Sequence, residues 1–465
     1  MENFNIENYV KELMTKARTA QNEISNYSQE KIDYIVGMIA YKMSRDDVCD
    51  ELSKLALEET GYGNYESKIG KIKKKAKGIY YEIKDVKTVG ICEELPNGLK
   101  RIRKPVGVIA GLIPVTQPEM TPVGKALFAL KCRNAMIFCA HPNGKKTTMR
   151  TVEIMREVLK DCGAPEDALI CADKISVAIT SEIMKQADLV IATGGAGMVK
   201  AAYSSGTPAF GVGAGNACIV VDETADINDA AHKIMISKTG DYAAGCSCDN
   251  SVIIVEDVFD KMIAALENEG GYYCSPEETE CVKKALFPNW PTDHALNREL
   301  IARAPEVIAA AAGINVPKNT KFIMVDENGS GHEHPFSGEK LSVVLAIYRC
   351  KDVKDGIRIV NENHAYSGAG HSCGIYSNSE ENIFEFANNT KTTRCNVNLP
   401  NALSNSGDVT SGFPYTTSLG CGTWGGNVIS QNICIDCYCN NTWIATPVNR
   451  EFPDDRELFA DLNVW

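Results

Sequence analysis

The segment Asp188-Leu-Val-Ile-Ala-Thr-Gly-Gly-Ala-Gly197 carries the main architectural signal of this chain, and Met198-Val-Lys-Ala-Ala-Tyr203 follows it directly. An apolar run that ends in glycines before a helical pattern is typical of a buried strand, a tight turn and a helix. Such a turn lets backbone N–H groups approach a pyrophosphate, and the helix N-terminus adds a favourable partial charge. Glycines that only serve a turn with positive φ would give the same pattern. The segment therefore predicts a strand–turn–helix unit, with nucleotide binding as its functional interpretation.

Strand and helix patterns alternate on both sides of this unit. Apolar runs predict strands at 109–115, 135–139, 168–172 and 189–192, with helices near 123–130, 148–162 and 177–186. Strands separated by helices of this length imply right-handed parallel crossovers and a doubly wound α/β sheet, which binds nucleotides at the carboxyl ends of its strands. A second alternating region has strand candidates at 251–255, 322–325, 341–348 and 372–376, and residues 6–57 predict an N-terminal helical layer.

The chain is long enough for two domains. Its 465 residues exceed the roughly 250–300 at which a single core stops growing. We place a nucleotide-binding domain at 1–235, a catalytic cysteine domain at 236–425 and a C-terminal tail at 426–465.

Composition excludes several classes of partner. A net charge of −12 disfavours non-specific contact with nucleic acid, and no run approaches the roughly 18 apolar residues that a membrane span needs. The 18 cysteines come without a signal-peptide pattern at the N-terminus, which favours a reducing, cytoplasmic location. We expect small molecules and other subunits as partners.

A candidate nucleophile lies in the small-residue loop Tyr242-Ala-Ala-Gly-Cys-Ser-Cys-Asp-Asn250, just before the apolar run at 251–255. A cysteine thiolate can add to an aldehyde carbon, and a nicotinamide cofactor can take hydride from the adduct to leave a thioester. Cys246 is the preferred nucleophile. Cys248 is a rival, or a partner for a protective disulfide.

Motifs spread over nearly the whole chain carry a family resemblance. They are Ile113-Pro-Val-Thr-Gln-Pro118, Leu130-Lys-Cys-Arg-Asn134, Ala192-Thr-Gly-Gly-Ala-Gly197, Gly211-Val-Gly-Ala-Gly-Asn216, the Cys246 loop, Gly370-His371 and Leu419-Gly-Cys-Gly-Thr-Trp-Gly-Gly-Asn427. In order and spacing these motifs resemble the aldehyde dehydrogenase superfamily, and specifically its coenzyme A-acylating branch. The resemblance implies two Rossmann-type domains and an oligomerisation arm in which residues 95–105 pair with the C-terminal tail, in a homodimer or homotetramer.

The resemblance also implies roles for individual residues. Cys246 would attack the aldehyde, and the Cys246 N–H with Thr116 or Gln117 would stabilise the oxyanion. The alternative for the last two is a simple turn between two prolines. His371 would take a proton from coenzyme A or hold the thiolate, and its alternative is a structural histidine. Glu339 resembles the glutamate that holds the nicotinamide ribose.

The resemblance implies NAD or NADP as cofactor, with coenzyme A as co-substrate. The predicted cofactor contacts are Thr193, Gly194, Gly195, Gly197, Gly211 and Gly213, and His141-Pro142 stands where hydrolytic relatives carry Lys-Pro. The glycines at 211–215 and 368–370 also fit places where backbone passes close to a ligand or to another segment. Hydrolytic members carry a glutamate in the segment that here starts Gly211-Val212-Gly213, so its absence favours thiolysis over hydrolysis.

Alternatives and exclusions complete the interpretation. A hydrolytic aldehyde dehydrogenase and a catalytically silent scaffold of the same fold are the competing functions. No metal is expected: His332 and His334 lack further ligands, and Cys434, Cys437 and Cys439 are interpreted as packing in a strand at 433–438. Acetaldehyde, succinate semialdehyde and sulfoacetaldehyde remain open as substrates. An anionic aldehyde would call for a basic residue such as Arg394 or Lys238.

Overall fold

Four amphipathic helices form the N-terminal layer of the structure, a computed structural model that describes residues 4–462. They are α1 (Ile6–Ile24), α2 (Gln29–Met43), α3 (Asp46–Thr60) and α4 (Tyr65–Ile83). The side chains of Asn5, Ser28 and Asn64 accept hydrogen bonds from the first turns of α1, α2 and α4, which satisfies N–H groups that a helix start leaves unpaired. The layer predicted for 6–57 is confirmed, whereas α4 was not predicted.

Two strands, β1 (Ile91–Glu94) and β2 (Lys100–Pro105), lead into the first parallel sheet. Its strands are β3 (Val108–Leu112), β4 (Ala135–Cys139), β5 (Leu169–Cys171), β6 (Leu189–Thr193) and β7 (Ala209–Val212). The connecting helices are α5 (Thr121–Lys131), α6 (Lys145–Asp161), α7 (Val177–Gln186) and α8 (Ala196–Tyr203). The order β5-β4-β3-β6-β7 places a topological switch point between β3 and β6, where open α/β sheets bind ligands.

The second sheet holds seven parallel strands in the order β10-β11-β12-β9-β8-β13-β14. They are β8 (Ala217–Val221), β9 (Asp249–Val255), β10 (Gly271–Tyr273), β11 (Phe322–Asp326), β12 (Val344–Cys350), β13 (Cys373–Tyr376) and β14 (Cys395–Val397). Its helices are α9 (Ile227–Thr239), α10 (Phe259–Asn268), α11 (Pro276–Leu286), α12 (Pro305–Ala312), α13 (Val353–Tyr366), α14 (Glu380–Asn389) and α15 (Asn401–Ser404). The chain changes sheets between Val212 and Ala217, earlier than residue 235, because β8 pairs with β9 and β13.

The C-terminal segment returns to the first domain. Tyr415, Leu419, Ile433 and Tyr438 join the core formed by the helical layer and the first sheet. The strand predicted at 433–438 is wrong: residues Ile435–Tyr438 form a 3-10 turn, and the Tyr438 ring stacks on Phe128 with centroids 5.3 Å apart. Packing of the tyrosine into this core therefore overrides the alternating pattern.

An antiparallel arm ends the fold. Strand β15 (Cys439–Ile444) pairs with β2, which pairs with β1. The predicted pairing of the 95–105 segment with the C-terminal tail therefore occurs within one chain. A short helix, α16 (Asp455–Leu458), follows, and the predicted apolar end at Trp465 lies outside the described residues. Among residues 4–462, no helix combines the length and the apolarity that crossing a membrane requires.

Candidate active site

The predicted site residues come together where the two sheets face each other. In the second sheet, Glu339, Cys246, Asn216 and His371 precede β12, β9, β8 and β13, four strands adjacent in that order. In the first sheet, the segments that carry His141, Gln117, Gly194 and Gly213 follow β4, β3, β6 and β7, also adjacent in that order. Residues 213–216 join the carboxyl end of β7 to the amino end of β8, and Gln117 of the first domain lies next to Gly245 of the nucleophile loop. The two edges therefore adjoin, and the space between them is called the crevice.

Cys246 and His371 form the reactive pair of this crevice. The Cys246 Sγ lies 3.2 Å from the His371 Nε2, and the His371 Nδ1 lies 2.9 Å from the Ser372 Oγ. His371 is fully buried and Cys246 is half-buried. The second ring nitrogen thus has a hydroxyl partner, which orients the imidazole toward the sulfur.

Burial keeps both members of this pair uncharged. It raises the pKa of the Cys246 thiol to about 12, and the Glu339 carboxylate adds to the rise. It lowers the pKa of His371 to about 3, with the Arg394 cation as a second cause. At neutral pH the pair is therefore a thiol beside a neutral imidazole, and the Nε2 is free to accept the thiol proton as the sulfur attacks.

Gly215 lies in the segment that joins the two domains, and this segment passes directly beside the Cys246 loop. A Cβ placed on Gly215 would lie 1.9 Å from the Cys246 carbonyl oxygen, so no side chain fits there. The Gly215 N–H donates to the Glu339 Oε1 at 3.1 Å. Burial raises the pKa of Glu339 to about 7. At Gly211, the same addition would meet Val199 at 2.5 Å, so both glycines serve close passage of two chain segments.

Two asparagines that the sequence analysis did not select fix the loop that carries Glu339. The Asn216 Nδ2 donates to the carbonyls of Ser337, at 2.8 Å, and Ser367, at 3.0 Å. The Asn250 Nδ2 donates to the Gly338 carbonyl at 2.6 Å and to the Asn216 Oδ1. Asn216 belongs to the motif at 211–216, but no sequence pattern indicates that its amide joins the segments that carry Ser337, Ser367 and Asn250.

Gln117 approaches the nucleophile loop from the first domain. Its Nε2 lies 3.6 Å from the position that a Cβ on Gly245 would take, next to Cys246. Thr116 is partly buried in the same segment after β3. The Gln117 amide is thus adjacent to the nucleophile loop.

Two of the three predicted glycines after β6 border open space, whereas a Cβ on Gly194 would lie 2.8 Å from the Met198 Sδ. Gly195 has φ −65°, and Gly194 and Gly197 are absent from the glycines with positive φ, so a left-handed turn does not explain them. A Cβ on Gly195 or Gly197 would meet no atom within 4 Å among the described residues. The Thr193 Oγ1 pairs with the Ser418 Oγ at 2.9 Å. An open glycine edge at the N-terminus of α8 fits a dinucleotide pyrophosphate.

His141 and Pro142 lie beyond the carboxyl end of β4. The His141 Nδ1 accepts the Asn143 N–H at 3.1 Å and caps a 3-10 turn that starts at Pro142. Burial, with the Arg298 cation, lowers the pKa of His141. The His141 ring is therefore neutral at neutral pH.

The two basic residues considered for anionic substrates differ in their surroundings. The Arg394 guanidinium donates to the Gly420 carbonyl at 2.6 Å and to the Asn432 Oδ1 at 3.2 Å, so it tethers the C-terminal segment. Lys238 lines a small cavity beside Cys246 and Cys248, and burial lowers its pKa to about 8. Burial also raises the pKa of Cys248, whose Sγ lies 3.8 Å from the Gly240 carbonyl oxygen.

The histidines with metal-like spacing have separate partners. His332 contacts His294, whereas the His334 Nδ1 lies 2.7 Å from the Glu327 Oε1. Within residues 4–462, no three His, Cys, Asp or Glu side chains gather in a way that could hold a metal ion.

The fold and this crevice define a protein class that comparison with known proteins identifies. The model of the aldehyde dehydrogenase family matches residues 6–270, and the chain belongs to that family. Within it, the chain is a member of the coenzyme A-acylating branch, because relatives that match nearly its full length are named as acylating or acetylating dehydrogenases.

Two curated relatives illustrate the match. The acylating sulfoacetaldehyde dehydrogenase of Bilophila wadsworthia is 40% identical over 97% of this chain and 98% of its own. The acetylating succinate-semialdehyde dehydrogenase of Clostridium kluyveri is 40% identical over 93% of this chain and 94% of its own.

Solved structures share the fold. The acetylating aldehyde dehydrogenase of Geobacillus thermoglucosidasius has a TM-score of 0.92 at 36% identity, covering 97% of this chain and 98% of its own. The propionaldehyde dehydrogenase of Rhodopseudomonas palustris, solved with bound CoA and an acylated cysteine, has a TM-score of 0.84 at 25% identity, covering 94% and 97%. The predicted α/β architecture of two Rossmann-type domains is confirmed.

The uncharged thiol–imidazole pair predicts how Cys246 reacts with iodoacetamide. Because the thiolate is the reactive form and the pKa of Cys246 is raised, the alkylation rate should climb about tenfold per pH unit between about pH 6 and pH 9. Peptide mass spectrometry measures this rate, with the exposed Cys281 as a reference for reagent activity. A rate that stays level over this interval would show a preformed thiolate.

Replacement of Gly215 by alanine tests the close passage at the nucleophile. The added Cβ would fall 1.9 Å from the Cys246 carbonyl oxygen, so the loop must shift, and we expect turnover to drop by about 100-fold. Gly412→Ala is the matched control, because its Cβ would meet no described atom within 4 Å. Wild-type turnover in Gly215→Ala would show that position 215 tolerates a side chain beside the Cys246 carbonyl, contrary to this prediction.

Proposed function

We propose that this protein oxidises a small aldehyde reversibly to its acyl-CoA, with NAD or NADP as oxidant and a thioester on Cys246 as the intermediate. The observation that carries the proposal is the Cys246 Sγ at 3.2 Å from the His371 Nε2, in the crevice between a nucleotide-binding sheet and a second domain. The acylating relatives and the CoA-bound structure support the reaction class.

The first half-reaction begins at the sulfur. As the Cys246 Sγ bonds to the aldehyde carbon, His371 accepts the thiol proton, and the developing oxyanion is stabilised by the Cys246 N–H and the Gln117 amide, with Thr116 as the alternative donor. The nicotinamide, when bound, supplies a hydride acceptor. Loss of hydride from the thiohemiacetal carbon leaves the acyl group on Cys246 as a thioester.

The second half-reaction transfers the acyl group. The thiol of coenzyme A attacks the thioester carbon, its proton passes to a general base, and the Cys246 sulfur leaves. His371 is the base that the geometry offers, since its Nε2 faces the sulfur. It first releases the Cys246 proton to solvent, then accepts the coenzyme A proton and returns it to the departing Cys246 sulfur. The sum is aldehyde, coenzyme A and NAD(P)⁺ giving acyl-CoA, NAD(P)H and a proton.

The segment that joins the two sheets lacks the carboxylate that hydrolysis would need, and this favours thiolysis. Gly211, Val212 and Gly213 bring no carboxylate to the site, and the nearby Glu339 is held by the Gly215 N–H. Without a base directed at water, a thiol is the better nucleophile toward a thioester at neutral pH. These features also argue against a silent scaffold, which has no need for a paired thiol and imidazole.

The cofactor contacts follow from the open edge of the first sheet. Gly194, Gly195 and Gly197 with the N-terminus of α8 would hold the pyrophosphate, and Thr193 borders them. Glu339 would accept hydrogen bonds from the nicotinamide ribose. His141 and Pro142 would border the adenosine at the end of β4.

The substrate and the compartment are the finer parts of this proposal. The two relatives at 40% identity are named for sulfoacetaldehyde and succinate semialdehyde, which both carry an anionic group. These two aldehydes and acetaldehyde are the first substrates to test. All 18 cysteines are free in the structure, which supports work in the reducing cytoplasm.

We also propose a homodimer or homotetramer built on the C-terminal arm. The outer edge of β15 has no neighbouring strand among the described residues, and the following tail exposes Phe452 at 91% and Leu458 at 49%. An open strand edge beside exposed apolar side chains suits a second copy of the chain.

The chemical proposal predicts a clear pattern of products and variants. NAD(P)H should form only when aldehyde and coenzyme A are both present in catalytic turnover, and mass spectrometry should detect the acyl-CoA. Cys246→Ala should lose at least about 10⁴-fold in turnover, whereas Cys248→Ala should retain most of it. Free acid formed without coenzyme A would establish the hydrolytic alternative, and full activity in Cys246→Ala would end the proposal.

The oligomer proposal predicts a mass change. Light scattering after gel filtration should give the wild type a multiple of its 50.6 kDa chain mass, and Phe452→Glu combined with Leu458→Glu should shift it to the monomer. Val409→Glu is the control, since Val409 is also 91% exposed and belongs to neither β15 nor the tail that follows it. A monomeric wild type would refute the assignment.

A further inference from the structure

A buried cluster of four charges lies beside the nucleophile loop. Lys68 and Lys71 belong to α4, Glu119 follows Gln117, and Asp241 lies five residues before Cys246. The side chains of Lys68, Glu119 and Asp241 are fully buried, and that of Lys71 is 25% exposed. The reaction steps proposed above use none of these four residues.

Asp241 is bound by the first turns of α4. Its Oδ1 accepts the Asn64 N–H at 2.8 Å, and its Oδ2 accepts from the Lys71 Nζ at 2.9 Å. The Lys68 Nζ lies 3.6 Å from the same Oδ2. The Asp241 N–H donates to the Ser67 Oγ at 3.1 Å. Both backbone and carboxylate of Asp241 are therefore anchored to one helix.

The same residue begins a strained stretch of backbone. Asp241, Tyr242 and Ala243 have φ values of 52°, 50° and 59°, in the left-handed region that residues with a Cβ rarely adopt. Three such residues in succession persist only where the surroundings hold them. The turn ends three residues before Cys246, so its conformation sets the direction in which the nucleophile is presented.

Lys68 links this turn to the opposite wall of the crevice. Its Nζ donates to the Glu119 Oε1 at 3.2 Å, and Glu119 lies two residues after Gln117. The Glu119 Oε2 is buried without a hydrogen-bond partner among the described residues. One ammonium group thus contacts carboxylates on both walls, one behind Cys246 and one behind Gln117.

We propose that Lys68, Lys71, Glu119 and Asp241 form a positioning cluster, which holds the strained turn and sets the separation between the Cys246 sulfur and the Gln117 amide. This inference rests on the proposed function, in which those two groups act on one carbonyl. Buried ion pairs contribute little net stability because desolvation offsets their attraction, so the role proposed for this cluster is to fix geometry. Asp241 touches neither substrate nor cofactor in this scheme and acts through Cys246.

The test compares Asp241→Asn with the wild type, because asparagine keeps the size of the side chain and removes its charge. We expect the iodoacetamide rate constant at Cys246 and kcat to fall by about 30-fold, with KM for the aldehyde changed less than threefold. Adding Ala243→Gly should restore much of the loss, since glycine adopts positive φ without strain. A role limited to general stability would not produce this split between kcat and KM.

Two further variants keep the test decisive. Lys71→Met removes the partly exposed cation and leaves Lys68 in place, so it should fold and lose a smaller, several-fold factor in the same two rates. Lys131→Met is the matched control, because Lys131 is a fully buried lysine paired with Asp33 in the helical layer and should leave alkylation of Cys246 in the folded enzyme unchanged. Unchanged rates in Lys71→Met overturn the proposal, as do wild-type rates in a folded Asp241→Asn.

Alkylation needs neither aldehyde nor coenzyme A, which separates the two hypotheses. A wild type that forms no acyl-CoA refutes the proposed function, while the alkylation rates still decide whether the cluster positions Cys246. A wild type that turns over, with variants that alkylate and turn over equally, refutes only the positioning cluster.

Discussion

The contact between Gly215 and the carbonyl of Cys246 is the constraint on which the site depends. The chain crosses from the first sheet to the second beside the nucleophile, and a Cβ on Gly215 would lie 1.9 Å from that carbonyl oxygen. The same principle operates near His371, because a Cβ on Gly370 would lie 1.8 Å from the Cys421 carbonyl oxygen. Backbones that pack this closely leave little freedom for the sulfur and the imidazole, and fixed geometry is what makes a bound carbonyl reactive.

The sequence predicted the strands that are flanked by long helices. It did not predict one strand and one helix, each for a physical reason. The strands at Ala135–Cys139 and Leu189–Thr193 stand out as continuous apolar runs. Strand Ala217–Val221 is equally apolar, but it follows a glycine-rich segment that drew a ligand interpretation, so it was not among the predicted strands. Helix Tyr65–Ile83 was missed because it buries Lys68 and Lys75. Their partners, Asp241 and the Ser406 carbonyl, are distant in sequence.

The site was predictable where a motif names a residue and unpredictable where an interaction joins distant segments. Resemblance selected Cys246 and His371, which lie 125 positions apart, but no local pattern states that they touch. The amides of Asn216 and Asn250 gave no signal, since an asparagine that joins loops looks the same in sequence as one exposed to water. The resemblance to an acylating enzyme is confirmed by relatives over nearly the full chain.

The reacting side chains are uncharged, whereas the side chains that hold their loop carry charge. Burial leaves Cys246 and His371 neutral at the crevice. Burial also opposes the charge of Lys71, but the nearby Asp241, Cys248 and Glu119 together raise the pKa of Lys71 above its usual value. A neutral pair pays no desolvation cost for charge before the carbonyl arrives, and the proton moves only as the carbon–sulfur bond forms. Once that proton has left for solvent, the same imidazole can accept the coenzyme A proton and return it to the Cys246 sulfur, so one base serves both half-reactions of the proposed exchange.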